Sequence, residues 1–135
     1  MKIELDHLRP INRVQKVWGE EWWLTNTDSY CAKLLFLKAG FRCSLHYHDQ
    51  KKEDFLVLSG ALTLEQRDVR GIPFNDFLMI GDKRTIEPKT PHRFSSQEDA
   101  VILEISTQHR ESDVTRIAES GPIECTPCKQ KSLNS

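Results

Sequence analysis

Short apolar segments that alternate every second residue dominate this sequence, and no long stretch repeats with the 3.6-residue period of a helix. Strand-like segments are expected over residues 14–18, 22–25, 30–38, 42–48, 54–59, 61–66, 76–80, 84–86, 92–95 and 100–107. Turn residues separate them: Thr27-Asp28, Ala39-Gly40, Ser59-Gly60, Gly71-Ile72-Pro73, Gly81-Asp82 and Lys89-Thr90-Pro91. Many short strands at regular spacing can hide their apolar faces only in a sandwich or a barrel, so the chain is all-β. Residues 111–119 read as one short helix. From 121 to 135 the sequence turns polar, with two prolines, and reads as a flexible tail or a strap across the barrel surface. A length of 135 residues fits one core, here placed in 1–120, and leaves no room for a second.

Charge removes several function classes. With 19 Lys+Arg against 20 Asp+Glu, the chain lacks the one-signed basic face that neutralises a phosphate backbone, so no nucleic-acid partner is expected. No apolar run approaches the roughly 20 residues of a membrane span. Residues 1–13 hold no continuous apolar stretch of the kind a secretory signal needs, and a cytoplasmic protein is expected. Cys31 and Cys43 lie in apolar segments and read as buried small hydrophobes. Cys125 and Cys128 form a lone Cys-x-x-Cys, half of a zinc site and without the strand–helix context of a redox motif.

The chemistry concentrates in Gly40-x5-His46-x-His48-x4-Glu53-x6-Gly60. Two histidines spaced by two on a strand point to one face. The polar turn over 49–52 returns the chain beside them, with Glu53 opening the next strand. Two imidazoles and a carboxylate from adjacent strands suit a first-row divalent ion such as manganese, iron, nickel or zinc. A second cluster, Pro88-Lys89-Thr90-Pro91-His92-Arg93-Phe94, supplies another histidine after a stiff proline turn.

The first segment resembles the first motif of the cupins at every fixed position. The second resembles their second motif at Gly81 and His92, whereas Glu87, Lys89 and Ser96 stand where that motif has proline, glycine and asparagine. The departures fall on the turn, because Thr90-Pro91-His92-Arg93-Phe94 is kept. The resemblance covers roughly residues 33–107. It implies a double-stranded β-helix, or jelly-roll barrel, holding one divalent metal on His46, His48, Glu53 and His92. Trp18-Gly19-Glu20, Lys33, Lys51 and the Thr-Pro-His-Arg-Phe run are further similar to small cupins of the mannose-6-phosphate isomerase type.

Other residues gain roles from their company. Glu104 is the single charge in Ala100-Val-Ile-Leu-Glu-Ile105, and an unpaired buried carboxylate is costly. It is expected either to pair with a base such as Lys33 or to act as an acid/base group. Lys33 shares a strand face with Leu35 and Leu37, so its ammonium should reach a cavity or a carboxylate; with Glu104 it is assigned to catalysis. Lys51 lies in a charged turn where a solvated role is the default, and the resemblance makes it a substrate-anion contact. His109 reads as a surface-loop residue able to close over the pocket mouth and bind substrate. Arg93 should face away from the metal as a structural ion-pair residue. Trp18, Trp22 and Trp23 should cap the barrel or an interface. Phe41, Cys43, Leu45 and Tyr47 alternate with the ligand face and should form an outer apolar stripe, from which a homodimer is expected.

These readings imply a metal-dependent enzyme on a small-molecule substrate, foremost a sugar or sugar-phosphate isomerase working by enediol proton transfer. Alternatives are an iron-dependent cupin dioxygenase and a non-catalytic small-molecule-binding cupin, since a fold does not select among them.

Overall fold

The computed structural model describes residues 4–123; Cys125 and Cys128 lie outside the described residues. Thirteen strands follow in chain order: β1 (Asn12–Lys16), β2 (Gly19–Asn26), β3 (Cys31–Leu37), β4 (Phe41–Arg42), β5 (Leu45–His48), β6 (Glu53–Ser59), β7 (Ala61–Arg67), β8 (Pro73–Met79), β9 (Lys83–Ile86), β10 (His92–Ser96), β11 (Ala100–Ser106), β12 (Val114–Ala118) and β13 (Gly121–Pro122). One antiparallel sheet runs β1-β2-β3-β11-β6-β9. In the other, β10 lies between β7 on one side and β4 and β5 on the other, with β8 beyond β7, β12 beyond β5 and β13 beyond β4. Among the described residues no helix is long and apolar enough to cross a membrane.

Strand parity explains both the core and the site. Leu35 and Leu37, Phe55 and Val57, Leu62 and Leu64, and Ala100 and Ile102 each stand two apart on a strand and are buried together in one apolar cluster. Each large side chain so buried contributes about 1.5–3 kcal/mol before entropy is set against it. The same parity carries charge inward toward one end of the barrel. Lys33 precedes Leu35, Glu53 precedes Phe55, His92 precedes Phe94 and Glu104 follows Ile102, and all four polar residues are buried. One end of the interior is therefore oily and the other ionisable.

Two backbone positions hold the frame. Gly60, at the β6–β7 turn, has φ +76°, and a Cβ there would meet the Asp99 carbonyl oxygen at 2.3 Å. Lys89, which stands where the second cupin motif has glycine, is left-handed at φ +68°. The turn thus keeps the glycine conformation with a lysine in it, and the Lys89 N–H donates to the His48 carbonyl at 2.6 Å.

Four expectations are corrected. Residues 111–119 form no α-helix: a single 3-10 turn, Glu111–Asp113, leads into β12, whose β-branched Val114, Thr115 and Ile117 suit a strand paired with β5. The expected 42–48 strand breaks at Cys43-Ser44, between β4 and β5. That break turns Cys43 into the apolar cluster, Phe41 packs against the cluster, and Leu45 is only 2 % exposed. Of the stripe that argued for a homodimer, Cys43 and Leu45 are buried and Phe41 and Tyr47 half-buried, so the four do not form an exposed apolar face. Arg93 makes no ion pair among the described residues; it donates from Nε to the Cys43 carbonyl and from Nη2 to that of Glu119, tying the break to the chain beyond β12. Trp18 is buried in the core, while Trp22 and Trp23 are half-buried on β2.

Candidate metal centre and cavity

His46 and His92 are paired residues on β5 and β10, and His48 lies two residues along β5 on the same face. Their ring nitrogens form a group whose ligand atoms lie within 4.8 Å of one another. Each Nδ1 faces a backbone carbonyl: Ser44 at 2.9 Å for His46, Asp113 at 3.2 Å for His48 and Thr90 at 2.8 Å for His92. A carbonyl only accepts, so each ring carries its proton on Nδ1 and presents the Nε2 lone pair to the interior. Burial foremost, and then the neighbouring His92, lowers the His46 pKa to about 3. His48 is lowered as well, chiefly by burial.

Glu53 opens β6 beside this group. Its Oε1 lies 3.5 Å from His48 Nε2 and its Oε2 3.1 Å from His92 Nε2. Oε2 is buried and accepts no well-formed hydrogen bond among the described residues. Burial alone would raise the Glu53 carboxyl, but His92, Lys51 and His48 hold it well below the usual range. Burial lowers His92, and the Glu53 carboxylate more than reverses this. Three imidazoles and a buried carboxylate therefore converge at one point, and this donor set suits a divalent cation.

A second group stands beside the first. Lys51 Nζ lies 2.6 Å from Glu104 Oε2, 3.2 Å from Glu53 Oε1 and 3.1 Å from His109 Nδ1. Lys51 is 3 % exposed, not solvated, and Glu104 pairs with it instead of with Lys33. Burial disfavours its charge, but Glu104 and Glu53 raise its pKa above the ordinary lysine value. Ser106 Oγ also donates to Glu104 Oε2, at 3.2 Å. His109 accepts from Lys51 at Nδ1 and donates from Nε2 to Glu111 at 2.8 Å, which fixes its tautomer. Burial, then Lys33 and Lys51, lower its pKa. Lys33 sits 3.5 Å from Glu21 Oε1, with its ammonium 4.2 Å from the Trp23 ring centre.

Both groups line one cavity of about 320 Å³. Its walls bring together all eight residues singled out in the sequence: His46, His48, Glu53, His92, Glu104, Lys33, Lys51 and His109. Two further contributors were missed. Asp113 accepts the N–H groups of Asp49, Gln50 and Lys51 on its carboxylate, fixing the turn between the histidine pair and Glu53. Arg116 stands directly across β12 and β5 from His46 and also lines the cavity. The Val-Thr-x-Ile pattern of 114–117 was the available signal that these residues lie on a strand.

No protein-family model matches the sequence, and no curated protein matches it either. Solved structures do match. Oxalate decarboxylase from Bacillus subtilis at pH 4.6 superposes with a TM-score of 0.71 at 18% identity, over 78% of this chain and 30% of that one. A tryptophan-to-tyrosine variant of that enzyme gives 0.70 at 19% identity over the same shares. The chain spans about a third of the length of these neighbours. Identities this low speak for architecture alone, and with the two antiparallel sheets closing around an inward histidine group, the fold is the cupin double-stranded β-helix.

Proposed function

We propose that this protein is a metal-dependent isomerase of a sugar or sugar phosphate. The observation that carries the reading is the pairing of two chemistries in one small cavity: three Nε2 lone pairs with Glu53 at one wall, and a carboxylate poised by Lys51 at the next. His46, His48, His92 and Glu53 would hold one divalent ion, with manganese, zinc, nickel or iron all compatible with these donors. Such an ion supplies Lewis acidity toward a carbonyl and its neighbouring hydroxyl.

The chain's own residues supply the proton transfer. Glu104 accepts Lys51 and Ser106 on Oε2, while Oε1 takes no hydrogen bond among the described residues. Oε1 is thus the atom able to take a proton from the carbon beside the substrate carbonyl and return it to the adjacent carbon through an enediol. The Lys51 ammonium, bonded to Oε2, fixes the orientation of the carboxylate. Lys33, held by Glu21 and Trp23, is placed to orient substrate hydroxyls. His109 carries Lys51 on one nitrogen and Glu111 on the other, and so positions the ammonium.

Metal analysis of the purified protein, followed by a panel of sugars and sugar phosphates assayed for hydrogen exchange at C1 and C2 with solvent, tests the reading. About one divalent ion per chain, lost in His46→Ala, together with exchange on at least one sugar, is expected. Metal-loaded protein that exchanges hydrogen with no sugar but consumes oxygen with iron bound would replace it with the dioxygenase reading.

A further inference from the structure

The deep cations of the cavity are already matched by carboxylates. Lys51 contacts both Glu104 and Glu53, and Lys33 contacts Glu21. Neither has its full charge left for a ligand, so the anion-contact role expected of Lys51 has to be met elsewhere. Two other cations line the same cavity, Lys16 at the end of β1 and Arg116 on β12. Among the described residues neither forms an ion pair, and Arg116 makes no side-chain hydrogen bond. Arg116 is also exposed, so its guanidinium is reachable from solvent.

Register fixes where Arg116 points. It is the direct cross-strand partner of His46, and Val114 is the partner of His48. Directly paired residues project from the same face of a sheet with Cβ atoms about 4.5–5.5 Å apart. Arg116 therefore leaves the sheet on the face that carries the histidine group, one long side chain from it. Glu119 and Glu111 share the cavity lining, but Glu111 is bonded to His109.

The geometry points to Arg116, assisted by Lys16, as the anion-binding element of this cavity: the ligand carries a phosphate or carboxylate that the guanidinium holds while its other end reaches the histidine group. A planar guanidinium is suited to either oxyanion, because its paired N–H groups match two oxygens at once. This assignment builds on the sugar-isomerase reading and narrows its substrate from sugars in general to anionic ones.

Calorimetric titration of the full, metal-loaded chain with fructose 6-phosphate, glucuronate and fructose tests it. The phosphate and carboxylate arms separate the two sources of charge. At least one anionic sugar should bind tenfold or more tightly than fructose, and raising the salt should weaken only that binding. R116Q should erase the advantage, R116K should keep part of it and K16Q should reduce it, all with wild-type metal content. Anionic sugars that bind R116Q as well as wild type, or no better than fructose binds wild type, would overturn the assignment. The two readings fail separately. An Arg116-dependent anion preference without hydrogen exchange on any sugar removes the isomerase and keeps the anion site. Exchange on neutral sugars without that preference does the reverse.

Discussion

Lys51 and Glu104, 53 positions apart in sequence, meet in the barrel interior with 2.6 Å between Nζ and Oε2. Glu53 approaches the same ammonium at 3.2 Å, so one buried lysine serves the carboxylate of each neighbouring group. Removing it would leave two carboxylates buried with no cation from this chain between them. Breaking a buried pair in this way costs about 3–5 kcal/mol. Lys51→Met, which keeps much of the side-chain length, should therefore lower the urea midpoint strongly. Lys51→Met/Glu104→Gln should recover part of the loss, and a double-mutant cycle in urea reads the coupling. Strict additivity of the two single changes would show that the contact has no energetic weight.

Metal holding and proton transfer should separate by mutation. Glu104→Gln keeps size and shape but removes the base, so metal content should stay near wild type while turnover falls by roughly a hundredfold or more. Glu53→Gln should instead weaken the metal site, because a neutral amide oxygen is a poorer ligand than a carboxylate. Metal content measured beside C1/C2 hydrogen exchange distinguishes them. Retained exchange in Glu104→Gln would remove it as the base and move attention to Lys33 or His109.

The inward set was legible because two-residue parity is a local property. Leu35 and Leu37 place Lys33 inside, Phe55 and Val57 place Glu53, and Ile102 places Glu104. Which charge would neutralise which was not local. Lys33 and Glu104 are direct partners across β3 and β11, yet Lys33 goes to Glu21 and Glu104 to Lys51. The Lys51 ammonium comes from a turn whose shape Asp113 sets by accepting three N–H groups from 62 to 64 positions away. β12 was misread for a related reason. Its segment mixes charges and alanine with β-branched residues, and pairing with β5 decides in favour of the strand. With β12 unread, Arg116 had no face, and the cavity lacked one wall.

The break between β4 and β5 has a chemical consequence at Cys43. Its Sγ accepts the Phe94 N–H at 3.0 Å, and its side chain sits in the apolar cluster. Burial above all pushes the thiol up to about 11, only partly offset by that N–H. Cys43 should resist iodoacetamide at pH 8 in the folded protein and react after denaturation, as peptide-resolved mass spectrometry would record. The raised folded pKa also makes its stability contribution present below about pH 8.5 and lost as pH climbs toward 11, because the unfolded thiol ionises first. Relative to Cys43→Ala, wild type should therefore lose stability across that window. Equal pH profiles for the two proteins would contradict the burial.

Gly60 and Lys89 both occupy left-handed backbone, and the two sites should respond in opposite directions to substitution. At Gly60 a Cβ would lie 2.3 Å from the Asp99 carbonyl oxygen and 2.9 Å from the Ala100 Cα, both backbone atoms that no side-chain rotation can move. Gly60→Ala should cost several kcal/mol, on the order of the larger single-site effects, because the steric clash adds to the backbone strain. Lys89 already carries a side chain at φ +68°, a conformation that costs an L-residue about 1–2 kcal/mol. Lys89→Gly removes that strain while adding roughly 0.5–1 kcal/mol of unfolded-state entropy, leaving a net gain of up to about 1.5 kcal/mol. Thermal and urea unfolding of the two variants beside wild type should show a large fall for Gly60→Ala and a small rise for Lys89→Gly. A marked loss in Lys89→Gly would mean that the lysine side chain supports the turn before His92 by contacts that outweigh its strain. The metal content of that variant would then show whether the support extends to the histidine group.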